Sequence, residues 1–227
     1  MRYRGILFDA DETLFDFQAG NRNAVNALMD EIGYRHPDRY DQYEAENQAC
    51  WAELEQGRLT QDALRTERFR RFYARYGIDR DPFRDGNRFA QLLGMQSILL
   101  PHAEAVVRTI ARARPVWILT NGITSVQKSR MARSPLRDAI SGLVISQEVG
   151  VSKPDPRLFE YALERMGVAR GEALMIGDGV NSDIRGANNA GIDACWYNPR
   201  GVALPEGVHA EYVISDIREC VGIALGE

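Results

Sequence analysis

The chain has 227 residues, 44% of them hydrophobic, a formal net charge of −4 and a pI near 5.5. That length suits one domain, or one domain with an insertion, and is ample for a core, while the acidic balance is a poor footprint for binding a nucleic-acid polymer. Cys50, Cys195 and Cys220 have no paired spacing, no apolar run approaches the ~18 residues of a membrane span, and the N-terminus lacks a signal-peptide pattern; the expectation is a soluble cytoplasmic protein with no membrane partner.

Gly5-Ile-Leu-Phe8 is nearly all apolar and reads as a strand buried on both faces. It ends in Asp9 and Asp11, with Glu12 and Asp16 close behind. Carboxylates crowded at the mouth of a buried strand repel one another and are costly to bury unpaired. Either a positive charge belongs there or the acids do chemistry. From 17 to 97 no buried strand is evident. One amphipathic helical pattern runs from about Asp38 to Gln56 and stops at Gly57; another follows Thr60 and stops at Gly77. This stretch reads as a helical insertion.

Beyond it, apolar runs alternate with helical patterns: Val116–Leu119, Leu143–Ile145, Ala173–Ile176 and Ala194–Tyr197, with Tyr212–Ile214 as a weaker edge strand. Asp155 is placed to cap a helix with Pro156 in its first turn, an apolar stripe of Leu158, Phe159, Ala162, Leu163 and Met166, and Gly167 to close it. Ser182 is expected to cap a helix over 183–190, ended by Gly191. Strand–helix alternation predicts an α/β fold, a Rossmann-like doubly wound parallel sheet.

Each strand is followed by polar residues. Asp9 and Asp11 follow the first, Thr120-Asn121-Gly122 the second, Gly150-Val-Ser-Lys153 the third, and Gly177-Asp178, with Asp183 further on, the fourth. Ligands of open α/β sheets bind beyond the carboxyl ends of the strands, so these clusters converge. All but two of the 28 basic residues are Arg, which singles out Lys153; the other lysine, Lys128, reads as a surface residue. Carboxylates suit Mg²⁺, and a hydroxyl, free N–H groups and an ammonium suit phosphate. The combination points to magnesium-dependent phosphoryl chemistry, with the cation as the missing positive charge.

Asp9-Ala-Asp11-Glu-Thr13, Thr120-Asn-Gly122, Lys153-Pro-Asp-Pro156 and Gly177-Asp178-(x4)-Asp183 resemble, in order, the four motifs of the haloacid dehalogenase superfamily. The resemblance covers a core of about 1–16 and 98–227, and places residues 17–97 where that family carries an inserted all-helical cap domain. It implies Asp9 as nucleophile, forming an aspartyl-phosphate, and Asp11 as general acid and then base. It implies Mg²⁺ held by the Asp9 carboxylate, the Asp11 backbone carbonyl and Asp178. Thr120 with the N–H groups of Asn121 and Gly122 would hold phosphoryl oxygens, and Lys153 would offset charge. Thr13 and Asp183 would support the site.

Asp11 argues against carbon–halogen chemistry, since the dehalogenases lack the second acid of the first motif. Residues 17–97 contain no Lys, which removes the Schiff-base nucleophile that phosphonatases take from the cap. The chain further resembles bacterial pyrimidine 5′-nucleotidases of the superfamily through Phe8–Phe15, Ile118–Gly122, Val144–Gly150 and Lys153–Pro156. In the cap, Tyr43, Asn47, Trp51, Gly57 and Arg68-Phe69 are similar as well. Tyr43, Asn47 and Trp51 share one helix face, which either meets a nucleobase or packs the cap; Arg68 either reaches a substrate oxygen or pairs with an acid. The substrate expected is a small phosphomonoester, a nucleoside monophosphate. The alternatives are a sugar-phosphate or phosphoglycolate phosphatase or a phosphomutase and, more distantly, a non-catalytic binding module. Oligomeric state, monomer or dimer, is left open.

Overall fold

In the computed structural model, which describes residues 2–226, the chain divides into two units. One comprises residues 2–17, 98–124 and 131–226; the other comprises 18–97 and 125–130.

The first unit is built on six parallel strands: β1 (Gly5–Phe8), β2 (Val116–Thr120), β3 (Gly142–Ile145), β4 (Ala173–Gly177), β5 (Asp193–Tyr197) and β6 (Tyr212–Ile214). They lie in the order β3-β2-β1-β4-β5-β6. The chain fills one side of β1 with β2 and β3, then returns to fill the other with β4 to β6. The topological switch therefore lies between β1 and β4, where Leu7 is in register with both Trp117 and Met175. Uniformly apolar strands follow from burial on both faces. Ile6 and Phe8 pack in a core with Ile118 and Ile176, while Leu7 points into a second core with Leu119 and Met175. The helix Ala103–Ala111 and the short Cys220–Leu225 cover the first face; helices Pro156–Met166 and Arg185–Ala190 cover the second.

The expected helix after Lys153 forms over Pro156–Met166: Asp155 accepts the Arg157 N–H and Gly167 closes it in the left-handed conformation. The expectation at Ser182 is corrected. Residues Val180–Ile184 form a wide π-type turn before the helix Arg185–Ala190; Ser182 Oγ donates to the Gly179 carbonyl at 3.5 Å instead of capping the helix, and the Asp183 carboxylate accepts the Gly179 N–H. In this turn the Asp183 carboxylate reaches Lys153 and the Gly179 N–H.

The second unit contains α1 (Phe17–Glu31, whose first residue belongs to the sheet unit), α2 (Arg39–Glu55), α3 (Gln61–Tyr76) and α4 (Pro82–Gly94). Thr60 caps α3 and Gly77 ends it at φ 65°. Tyr43, Phe69, Phe72 and Phe89 form its aromatic centre. Residues 125–130, from the helix Thr124–Arg133, group with this unit rather than with the rest of 98–227. Gly94 leaves space for Ser129, and the buried Arg130 donates from Nε to the Gln96 carbonyl at 3.0 Å. No helix among the described residues is long and apolar enough to cross a membrane.

Candidate active site

The carboxyl ends of β1, β2 and β4 and the loop after β3 deliver the polar residues of the sheet unit to one place. Lys153 is its hub. Its ammonium donates to Asp9 Oδ1 at 2.5 Å, Asp183 Oδ1 at 2.6 Å and the Leu119 carbonyl at 2.8 Å, and the residue is 5% exposed. Burial alone would favour the neutral amine; the charges of Asp183 and Asp9 overcome it and hold the ammonium charged. The Lys153 main chain is clamped by the Asn121 side chain, whose Oδ1 accepts the Lys153 N–H at 2.9 Å and whose Nδ2 donates to the Lys153 carbonyl at 3.0 Å.

Asp183 is fully buried, and both of its oxygens are used, Oδ1 by Lys153 and Oδ2 by the Gly179 N–H at 2.9 Å. It reaches this position because Gly177 has no side chain; a Cβ there would overlap the Asp183 carboxylate. Asp178 is held from two sides. Its N–H donates to Thr13 Oγ1 at 3.0 Å, and the Thr13 hydroxyl donates to Asp178 Oδ1 at 3.2 Å. The Trp196 indole N–H donates to the Asp178 carbonyl at 2.9 Å.

Asp9, Asp178 and Asp183 each place a carboxylate oxygen within 4.8 Å of the others. Burial pushes the proton affinity of Asp9 well up, the Asp183 charge adds to this, and Lys153 opposes it. Burial, and then Asp183, likewise push Asp178 up to about 6 against its bond with Thr13. Among the described residues one ammonium, bonded to Asp9 and Asp183, stands against these three carboxylates, so the group has the charge deficit and the hard oxygen donors that suit a divalent cation. With both Asp183 oxygens already hydrogen-bonded, Asp9 and Asp178 are its freer donors.

Thr120 is buried at the end of β2. Beside it, Gly122 N–H donates to Ser146 Oγ at 3.2 Å and Thr124 N–H to Gln147 Oε1 at 2.8 Å. Asp11 and Thr13 lie in the loop after β1, which Glu12 enters at φ 60°. The structure thus joins Asp9, Asn121, Lys153 and Asp183 by direct bonds, joins Thr13 to Asp178 by two more, and brings the two groups together through the carboxylates of Asp9, Asp178 and Asp183. Sequence reasoning missed Trp196, which reads as core because it sits in a strand, the Asn121 side-chain clamp, and Ser146 with Gln147. The run Val144–Gly150 marked that last stretch without assigning it a role.

In the helical unit, Tyr43 is fully buried, with ring centroids 5.2 Å from Phe69 and 5.6 Å from Phe89. Helix packing accounts for this ring. Asn47 is buried and Trp51 half-buried on the same helix, and Arg68 is buried on α3.

The chain matches the family model described as haloacid dehalogenase-like hydrolase over residues 3–191, and it belongs to that family. The chain is 34% identical to pyrimidine 5′-nucleotidase YjjG of Escherichia coli over 220 residues, 96% of either chain. It is 33% identical to pyrimidine 5′-nucleotidase PynA of Streptococcus pneumoniae over 227 residues, covering 97% of this chain and 96% of that one. Among solved structures, the HAD-hydrolase YfnB of Bacillus subtilis, bound to magnesium, superposes with a TM-score of 0.91 at 29% identity over 99% of both chains.

Proposed function

We propose that this chain is a Mg²⁺-dependent phosphomonoester hydrolase acting on pyrimidine nucleoside 5′-monophosphates. The observation that carries the chemistry is the Lys153 ammonium at 2.5 Å from Asp9, inside a group of three carboxylates. Similarity to two pyrimidine 5′-nucleotidases along almost the whole chain supports the substrate class. Three buried free thiols fit the cytoplasmic setting of such a substrate.

In this reading an Asp9 oxygen attacks phosphorus, and the bond from phosphorus to the nucleoside oxygen breaks. The leaving oxygen takes a proton from Asp11, giving an aspartyl-phosphate on Asp9. Asp11, now a carboxylate, takes a proton from water, whose oxygen attacks phosphorus and returns Asp9 as a carboxylate with free phosphate. Lys153 offsets charge as the phosphate approaches Asp9, and Thr120 with the Asn121 N–H holds phosphoryl oxygens; the Gly122 N–H, expected to join them, is taken by Ser146 Oγ at 3.2 Å. Asp9, the Asp11 carbonyl and Asp178 would hold Mg²⁺, which when bound offsets the negative charge of the phosphate. Thr13, Trp196 and Asp183 position these groups. Asn47 and Arg68 contribute to substrate selection.

The test is phosphate release from UMP, CMP, dTMP, AMP, glucose phosphates and phosphoglycolate, with Mg²⁺ and with EDTA. Preference for the pyrimidine nucleotides, abolished by EDTA, is the expected result. Activity confined to sugar or two-carbon phosphates would keep the mechanism and overturn the substrate.

Two further outcomes concern the metal. Trp196→Phe keeps an aromatic ring and removes the donor to Asp178, so Mg²⁺ affinity measured by calorimetry should fall about tenfold. The second is pH dependence. A carboxylate whose folded pKa is raised stabilises the fold below its unfolded pKa and loses that contribution as pH rises through its folded value. For Asp178 the window runs from about 4 to about 6. Metal-free protein should therefore melt at lower temperature as pH rises through it, and the gain in melting temperature from Mg²⁺ should be larger at pH 7.5 than at pH 5. An equal gain at both would show that no proton competes with the metal.

A further inference from the structure

In the sheet unit, the segment that follows β3 ties down the loop that follows β2. β3 ends at Ile145, and Ser146 opens a single helical turn, Ser146–Val149. Gly150 closes that turn at φ 81°, with its N–H on the Ser146 carbonyl at 2.9 Å. The register of β2 with β3 runs as far as Thr120 and Ile145. Past that point, two main-chain donors of the β2 loop are met by side chains of the helical turn. The Gly122 N–H donates to Ser146 Oγ at 3.2 Å, and Ser146 is buried. The Thr124 N–H donates to Gln147 Oε1 at 2.8 Å. Thr124 is the first residue of the helix Thr124–Arg133, where N–H groups have no partner within the helix. The cap position of that helix, Ile123, carries no side-chain acceptor, so Gln147 caps it from the neighbouring strand's loop.

The Asn121 amide adds two bonds between the same segments, at 2.9 Å from the Lys153 N–H and 3.0 Å to the Lys153 carbonyl. Each of these four bonds runs between a side chain and the main chain. One of the two segments carries Thr120 and Asn121, and the other leads to Lys153. The spacing of the groups assigned to the phosphate is therefore set by Asn121, Ser146 and Gln147. The acceptors are neutral, a hydroxyl and an amide, although a carboxylate also caps the start of a helix well. A carboxylate in either place would add a like charge beside an incoming phosphate; Ser146 and Gln147 supply the acceptor without it.

We propose that Ser146 and Gln147 are positioning residues for phosphoryl transfer: they hold the loop after β2 in the conformation in which Thr120 and the Asn121 N–H meet the phosphoryl oxygens in register with Lys153. The assignment rests on the phosphatase reading above. Both residues act through the main chain of the loop. Releasing the loop at Gly122 or Thr124 lets the donors drift from where charge develops in the transition state, and a displacement of about 1 Å there is costly. The loss falls on kcat more than on KM, and it does not depend on the leaving group.

The test measures kcat and KM for UMP and p-nitrophenyl phosphate, and inhibition by orthovanadate, on the wild-type enzyme, Ser146→Ala and Gln147→Met. Folding is checked by melting curves and Mg²⁺ affinity by calorimetry. Orthovanadate takes up the five-coordinate geometry of a transferring phosphoryl group, so its affinity reports transition-state contacts without turnover. Each variant should lose roughly ten- to a hundredfold in kcat, by the same factor on both substrates, with KM within about threefold of wild type. The vanadate inhibition constant should rise in proportion. Mg²⁺ affinity should hold, because Asp9 and Asp11 follow β1 and Asp178 follows β4. A variant that melts lower but keeps its kcat and its vanadate affinity would overturn the proposal and leave the two side chains as structural caps. A loss confined to UMP, or one explained by weaker Mg²⁺ binding, would overturn it too. Gln147 is only half-buried, so Gln147→Met decides the question if Ser146→Ala does not fold. Failure of the phosphatase reading looks different: wild-type enzyme would then hydrolyse neither substrate with Mg²⁺ present, and the assignment would fall with it.

Discussion

Asp9→Asn should reduce phosphate release from the preferred substrate by at least about 10⁴-fold, because an amide cannot form the acyl phosphate and no other step substitutes for it. The measurement is single-turnover phosphate release with substrate and Mg²⁺ in excess over their binding constants, so that weakened binding cannot mimic lost chemistry. Asp9 is 8% exposed, and the substitution changes little volume, so the fold should survive. The variant also removes one of the carboxylates that repel one another in the absence of metal, while Lys153 keeps Asp183 at 2.6 Å. A variant retaining most of its activity would move the nucleophile to another residue and remove the mechanism.

Lys153→Met is expected to lose both activity and stability. Lys153 is the only ammonium bonded to Asp9 and Asp183 among the described residues, and its removal leaves two buried carboxylates without their cation. Breaking a buried pair by deleting one partner costs about 3–5 kcal/mol. Loss of a charge aimed at the transferring phosphoryl group costs a further factor of about 10²–10³ in turnover. Chemical denaturation at two pH values separates the causes. Burial and Asp183 already raise the proton affinity of Asp9, and losing the opposing lysine raises it further. The stability deficit of Lys153→Met should therefore shrink from pH 7.5 to pH 5, as protonation replaces the missing charge. Adding Asp183→Asn to the variant should recover part of the stability at pH 7.5, since it deletes one of the two stranded charges. A deficit independent of pH would assign Lys153 a packing role.

How legible these features were depends on the range of the interactions that make them. The uniformly apolar runs report burial on both faces directly, and the Asp155-Pro156 start and Gly167 stop report local backbone chemistry, so these elements formed close to where they were expected. Ser182 misled for the same reason: a local capping rule was applied where a longer-range contact decides. Asp183 is drawn back to Lys153 and Gly179, and the chain opens into a wide turn to allow it. Trp196 was legible as buried but not as a hydrogen-bond donor, because its partner, the Asp178 carbonyl, comes from the neighbouring strand's loop.

The amino-acid sequence by itself determined the parallel α/β class, the helical nature of residues 17–97 and the placing of polar residues after the strand ends. Each rests on periodicity, turn chemistry, or the rule that parallel strands present their carboxyl ends together. Only the tertiary structure decided which charges meet. Lys153 lies 144 residues from Asp9 and 30 from Asp183, yet bonds both, and no local pattern encodes that geometry. Tyr43 and Arg68 make the same point in the helical unit. Tyr43 reads as packing or as base contact and Arg68 as reaching a substrate oxygen or pairing with an acid; among the described residues folding packs the Tyr43 ring on Phe69 and gives Arg68 the Asn47 amide and the Phe89 ring, contacts that no local pattern encodes.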